Sequence, residues 1–367
     1  MPSTRAIDGP ARVLERTAVE PILLAALAAT IALAMTPLVR RLALRVGAVD
    51  QPGMRRVHVA PRPRLGGLAV AAGVAGATLV GKVVGGALTT SALEDGARMW
   101  GLGAGALLVL AVGVVDDIRG VAPATKLAAQ IVAAGLALAG GYHVGGVTNP
   151  FTGTYVVFGG VGALLTIAWV VAVTNAFNLI DGLDGLAAGV ALISAVPLLT
   201  IAWIEGRLDV VPLWAALAGA LAGFLVHNFA PASIFLGDSG SLLVGYLIAL
   251  LAVQALEKSA TLVVVLASVL TLGLPIVDLA LAVVRRMPTG GLKGIVQGDR
   301  AHLHHRLLAP GTASHRGPVL VLYGVAVACG VIAVVAAVTQ SLRYAVLVLG
   351  GAGIAAALVR RRRTRAS

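Results

Sequence analysis

The sequence predicts an all-α, polytopic integral membrane protein of about eleven transmembrane helices with a cytoplasm-facing active site, and three observations lead there. Of 367 residues, 58% are hydrophobic and only 12% charged, with mean hydropathy +0.95. That is more apolar surface than a water-soluble domain of this length can hide in one core. Low-charge stretches near the roughly 20 residues needed to cross a ~30 Å hydrocarbon layer recur along the chain. Lys and Arg gather in alternate connections between those stretches, as in cytoplasmic loops.

In chain order the expected spans lie at about 21–39, 65–84, 99–115, 127–142, 159–177, 183–203, 211–228, 241–256, 259–284, 318–339 and 343–359. The third to fifth are Gly-rich, and the ninth is long enough to bend or to project beyond the bilayer. The first connection holds Arg40, Arg41, Arg45, Arg55, Arg56, Arg62 and Arg64; the third holds Arg119 and Lys126; the ninth holds Arg285, Arg286, Lys293, Arg300, Arg306 and Arg316; the tail holds Arg360 to Arg363 and Arg365. Twenty of the 28 basic residues thus fall on one side of an eleven-span chain, so that side is expected to be cytoplasmic and the N-terminus outside. Arg5, Arg12 and Arg16 of the N-terminal tail oppose this mildly, against Asp8, Glu15 and Glu20. The expected organisation is an extracytoplasmic tail (1–20), one transmembrane catalytic domain (21–359) and a basic cytoplasmic tail (360–367).

Several function classes fall away. The first 20 residues mix both charge signs and lack a basic n-region and cleavage site, so the first span is expected to stay as an anchor. The single cysteine, Cys329, lies within a span and forms no intrachain disulfide. A net charge of +12 needs no nucleic acid to explain it, because inner-loop Lys and Arg facing anionic lipid headgroups account for most of it.

The acids follow the same map. Asp50, Asp116, Asp117, Asp181, Asp184, Asp238, Asp278 and Asp299 fall at cytoplasmic helix ends or loops, whereas Glu15, Glu20, Glu94, Glu205 and Glu257 fall outside. "VGVVDDIRG" (112–120) ends the third span on adjacent carboxylates, whose repulsion suits a base, a metal ligand or both; Lys126 and Gln130 can face the same space. A solvated helix end facing Arg119 would also account for it. "NAFNLIDGLDGLAAG" (175–189) sets Asp181 and Asp184 three apart beside Asn175 and Asn178, on one face if helical, with Gly182 and Gly185 permitting close backbone approach. A mid-helix Asp costs about 2.5–3.5 kcal/mol on insertion scales, and polar groups so placed mark function; a helix cap explains one of these residues but not four. "FLVHNFAPASIFLGDSGSLLVGY" (224–246) supplies Asp238 at a helix start, where exposed N–H groups cap a side chain or attract phosphate. "GDRAHLHHRLL" (298–308) adds His302, His304, His305 and Arg306. Without Cys or Glu beside them these read less as zinc ligands than as cationic donors to a diphosphate. His143, on the outer side, is expected to be incidental.

Carboxylates for Mg²⁺ and cations for phosphate at one membrane boundary suit phosphoryl transfer between a soluble diphosphate and a lipid phosphate; an intramembrane prenyltransferase fits the same physics. A transporter would carry its polar residues nearer the bilayer midplane.

From about Asp50 to Leu308, "VDQPGMRRVH", "PRPRLGGLAV", "VDDIRG", "NAFNLIDGLDGLAAG", "GDSGSLLVGY" and "DRAHLHHRLL" occur in an order and spacing that resemble the polyprenyl-phosphate N-acetylhexosamine-1-phosphate transferases. That family starts O-antigen (lipopolysaccharide), teichoic acid and arabinogalactan synthesis and is related to phospho-N-acetylmuramoyl-pentapeptide transferase. The resemblance implies that UDP-N-acetylglucosamine gives its sugar phosphate to undecaprenyl or decaprenyl phosphate in the cytoplasmic membrane, with Mg²⁺ or Mn²⁺ as a substitute, leaving UMP; a homodimer is compatible with it. By motif position Asp116 and Asp117 serve the lipid-phosphate nucleophile, and Asp238, with Asp117, binds metal. Asn175, Asn178, Asp181 and Asp184 line the nucleotide pocket, Phe235 stacks on uracil, and Arg300, His302, His304, His305 and Arg306 meet the sugar and diphosphate. Leu303 interrupts what would be three consecutive His in the muramoyl-pentapeptide branch, which favours the N-acetylglucosamine branch. Arg outnumbering Lys 24 to 4 suggests a high-GC source in which decaprenyl phosphate is a plausible acceptor.

Overall fold

The computed structural model describes residues 10–50, 61–149, 152–256, 262–280 and 316–340. Within them the chain runs back and forth between the two ends of a helical bundle. Helix α1 (Pro10–Val46) leads through a two-residue antiparallel pair, β1 (Val49–Asp50) and β2 (Arg62–Pro63), to α2 (Gly66–Val83). A short helix α3 (Ala87–Ala92) precedes α4 (Gly96–Arg119) and α5 (Pro123–Ala139). The hairpin β3 (Gly146–Thr148) and β4 (Tyr155–Val157) then leads into α6 (Gly160–Ile180), α7 (Leu186–Ile204), α8 (Val211–Asn228) and α9 (Gly237–Leu256). Helices α10 (Leu262–Thr271) and α11 (Gly273–Ala280) are bent by 76° about Leu272, and α12 spans Arg316–Thr339.

Among the described residues, eight helices are long and apolar enough to cross a membrane, or nine if the bent pair is one span. Of the two readings left open for the ninth span, bending or projection beyond the bilayer, its described part shows a bend. The span expected at 127–142 is only 17 residues long, as α5, and that at 343–359 lies outside the described residues. Arg40, Arg41 and Arg45, read above as loop residues, continue α1, and the two small strand pairs and α3 were not foreseen.

Without water between helices, close association depends on small residues that let backbones touch. Gly219 and Gly223 of α8 face the carbonyls of Ala25 and Ala29 of α1 so closely that any Cβ would overlap them. Helices α8 and α9 are buried on nearly every side. Helix α9 packs against α4, α6 and α2, so a residue at its first turn stands amid the ends of three other helices.

Candidate active site

One end of the bundle gathers the C-termini of α1, α4, α6 and α8 and the N-termini of α2, α5, α7, α9 and α12, and the acids foreseen from the sequence meet there. Asp117, at the end of α4 and 6% exposed, accepts hydrogen bonds from the backbone N–H of Asp238 (2.9 Å) and Ser239 (3.1 Å). It thus caps α9 from another helix, satisfying two donors that a helix start leaves free and placing negative charge at the positive end of the dipole. This is why α9 begins at Gly237 rather than near 241. Gly237 has φ +72°, and a Cβ there would lie 2.5 Å from Asp117 Oδ2, so only glycine fits without displacing the carboxylate.

Lys126, at the start of α5, bridges Asp238 Oδ2 (2.5 Å) and Asp116 Oδ2 (3.3 Å). Asp116 also accepts from Val121 N–H at 2.7 Å, which fixes the turn after α4. Asp181 follows the last residue of α6, accepts from the Gly237 N–H and faces the charges of Asp238 and Asp117. Burial pushes the Asp181 carboxyl up to about 8; those two charges add to the rise, and Arg64 and the Gly237 N–H oppose it. Lys126 is therefore shared by Asp116 and Asp238, and the more distant Arg64 offsets the charge of Asp181.

The segment around β2, quoted above only for its resemblance, proves to be a wall of this site. Pro63 carbonyl accepts from Phe235 N–H (2.8 Å), while the N–H groups of Gly66 and Gly67 donate to the carbonyls of Phe235 and Leu236 (both 3.1 Å). Arg64, ion-paired with the buried Asp50, stands between these bonds. A backbone ladder formed over 170 residues of sequence leaves no local signal; only the paired glycines and Arg of "PRPRLGG" could have flagged it.

Other foreseen residues divide. Asn178 donates to Ser241 Oγ (2.9 Å) and also reaches Asp238, so it borders the acids. Asn175 and Gln130 exchange hydrogen bonds (2.5 and 3.3 Å) between α6 and α5, and Asn175 also donates to the Val171 carbonyl (2.8 Å), a half-buried pairing that occupies both amides. Asp184 accepts from Ala232 N–H at 2.9 Å, tying the α6–α7 turn to the loop that carries Phe235. His143 lies at the other end, against Gly141 carbonyl. Arg300, His302, His304, His305 and Arg306 lie outside the described residues.

Among the described residues no three His, Cys, Asp or Glu are preassembled around a point. Mg²⁺ does not need this, since it is commonly held by one or two carboxylates with water and substrate phosphates. The donor set fits on chemistry: hard carboxylate oxygens outnumber the cations facing them. Asp238 is the better-placed ligand, because both Asp117 oxygens already accept backbone N–H groups.

The chain is 38% identical to the probable undecaprenyl-phosphate N-acetylglucosaminyl 1-phosphate transferase of Bacillus subtilis (strain 168), over 79% of this chain and 78% of that one. It is 39% identical to the decaprenyl-phosphate N-acetylglucosaminephosphotransferase of Mycobacterium tuberculosis (strain ATCC 25618 / H37Rv), over 78% and 74%. The model of glycosyl transferase family 4 matches residues 99–256. The chain belongs to the polyprenyl-phosphate N-acetylglucosamine-1-phosphate transferase family. A more distant member, the undecaprenyl-phosphate alpha-N-acetylglucosaminyl 1-phosphate transferase of Salmonella typhi, is 26% identical over 80% of this chain. The stretch matched by the family 4 profile runs from α4 to α9 and so contains all four converging acids of this transferase fold.

Proposed function

We propose that the protein transfers N-acetylglucosamine-1-phosphate from UDP-N-acetylglucosamine to undecaprenyl or decaprenyl phosphate, giving the polyprenyl-diphospho sugar and UMP at the cytoplasmic face of the membrane. The observation that carries this reading is the convergence of Asp116, Asp117 and Asp181 on Asp238 and its Lys126 partner at a single end of an apolar bundle. A soluble donor and a membrane-bound acceptor must meet at such a boundary, and holding both there replaces a bimolecular encounter by an oriented one.

The lipid phosphate oxygen attacks the sugar-bearing phosphorus, and the UMP oxygen leaves. Asp238 would hold a Mg²⁺ ion, which would supply neutralisation of the charge on the diphosphate oxygens. Lys126 stands between Asp116 and Asp238, where its ammonium meets an incoming phosphate. Asp116, held by Val121 N–H, accepts a proton from a lipid phosphate that arrives protonated; most arrive without one, since a phosphate monoester's second pKa is about 6, so this role is modest. Asp117 holds the first turn of α9, and with it Asp238, in place. Asp181, Asn178 and Phe235 border the nucleotide side; the diphosphate role that the family resemblance gives Arg300, His302, His304, His305 and Arg306 falls on residues outside those described.

The test is UMP release by purified protein in detergent, with undecaprenyl phosphate and Mg²⁺, using UDP-N-acetylglucosamine in one tube and UDP-muramoyl-pentapeptide in another, each with an EDTA control. Metal-dependent release with the first donor alone is expected. Release with the second alone would move the protein to the peptidoglycan branch, and silence with both in a folded sample would end the transferase reading. Asp238→Asn is expected to lower turnover by at least about 100-fold, the scale of losing one transition-state electrostatic contact, in a protein that still inserts and folds.

A further inference from the structure

Helix α12 lies outside the family-matched stretch, yet it touches both loops that carry the nucleotide side of the site. The Tyr323 hydroxyl donates to the Gly185 carbonyl at 2.5 Å. Gly185 begins α7 with φ +76° and closes the turn that holds Asp181 and Asp184. A Cβ at Gly189, one helical turn further, would overlap the same hydroxyl, so α7 presents a glycine-lined slot into which the phenol fits. A half-buried phenol packed in such a slot still seeks a partner for its O–H, and this one takes a carbonyl that already accepts from Gly189 N–H. At the start of the same helix Arg316 Nε donates to the Ala230 carbonyl at 2.9 Å, in the loop that continues through Phe235 to Asp238. The Tyr323 ring also lies 6.4 Å, centroid to centroid, from that of Phe229 in this loop. Asp184 closes the triangle by accepting from Ala232 N–H.

We propose that Tyr323 and Arg316 are positioning residues for the nucleotide-sugar half of the site, α12 acting as a brace that sets the spacing between the 181–185 turn and the 229–236 loop. The lipid-phosphate half, built from α4 and α5, receives none of these bonds. The brace therefore acts on one substrate and not the other, which a merely structural helix contact would not do. The inference rests on the transferase reading for its substrates and on geometry alone for the brace.

The test uses the full chain in detergent, with Tyr323→Phe, which keeps the ring in its slot and removes only the donor, and Arg316→Gln beside Arg316→Lys. KM for UDP-N-acetylglucosamine and for undecaprenyl phosphate are measured separately, with amide hydrogen exchange over 182–189 and 230–238. Tyr323→Phe is expected to raise the nucleotide-sugar KM about three- to tenfold, the range for one lost hydrogen bond, with the lipid-phosphate KM within about twofold. Arg316→Lys, which keeps a donor, is expected to lie nearer wild type than Arg316→Gln. An unchanged ratio of the two KM values in Tyr323→Phe and Arg316→Gln overturns the brace, whatever happens to stability. If the wild type turns over no nucleotide sugar, the transferase reading fails by itself and exchange decides: faster exchange in both loops upholds the brace, and unchanged exchange overturns it.

Discussion

A carboxylate at a membrane boundary is stable only where its charge is answered, and Asp117 is answered by two backbone N–H groups of another helix. Its position depends in turn on the absence of a side chain at Gly237. Gly237→Ala would strain a φ of +72° and set a methyl 2.5 Å from Asp117 Oδ2; the left-handed conformation alone costs about 1–2 kcal/mol. The variant is expected to lose at least about tenfold in UMP release and a few degrees of melting temperature in detergent; full activity would mean that this cap does not set the geometry of Asp238. At this scale the sequence was informative where chemistry is local. Adjacent Asp116 and Asp117, and Asp181 near Asn178, are costly in apolar surroundings and so identify themselves. Asp184 and Asn175 looked equivalent to these, yet Asp184 accepts from Ala232 N–H and Asn175 bonds Gln130 and the Val171 carbonyl, and nothing in their spacing distinguishes a residue that borders a site from one that ties its loops. Tyr323, a single aromatic in an apolar span, carried no signal at all.

Helices were legible because apolar runs of membrane length have few alternatives, and their ends less so because tertiary contacts move them. The first turn of α9 forms four residues early under an external cap, and α1 continues through three arginines. Packing between elements depends on glycine positions whose importance appears only with the partner in place. Gly223→Val on α8 would drive a branched side chain into the Ala29 carbonyl of α1; overpacking of this kind costs about 1–3 kcal/mol, and detergent unfolding should show a lowered midpoint. At the opposite end, Arg207, itself 8% exposed, donates to Asp209 (3.0 and 3.2 Å) and to the Ala255 carbonyl, while Gln254 also donates to Asp209. This network ties the α7–α8 connection to the end of α9. Burial pulls the Asp209 carboxyl upward, but the Arg207 bonds and charge, with Gln254, outweigh it and hold the group below its usual 3.8. The folded state thus binds fewer protons than the unfolded one just below pH 4, so this contribution is present above that range and lost as pH falls through the folded value. Asp209→Asn should therefore melt below wild type at pH 7, with the gap closing under about pH 3.8; a gap independent of pH would assign the loss to packing.

At the scale of the whole molecule, the separation of chemistry between the two ends follows from alternation: each pass returns the chain to the opposite end, so connections α1–α2, α4–α5, α6–α7 and α8–α9 all contribute to one surface. The same alternation puts Glu20, Asp95 and the Arg207–Asp209 network at the other end. Among the described residues Asp50, Arg64, Lys126 and Arg316 all lie at the acid-lined end. On the positive-charge rule the proposed reaction expects this end to face the cytoplasm, the side from which a nucleotide-sugar donor would enter. A cysteine-labelling experiment tests this directly. In a Cys329→Ser background, which removes the only native thiol, Thr125→Cys places a thiol at an exposed position beside Lys126, and Glu94→Cys places one at an exposed position at the far end. A membrane-impermeant maleimide is expected to label Thr125→Cys in inside-out vesicles only and Glu94→Cys in right-side-out vesicles only. The reverse pattern would leave the four-acid site facing away from its nucleotide-sugar donor, and the proposed reaction would then have to give way to one whose soluble substrate lies outside the cell.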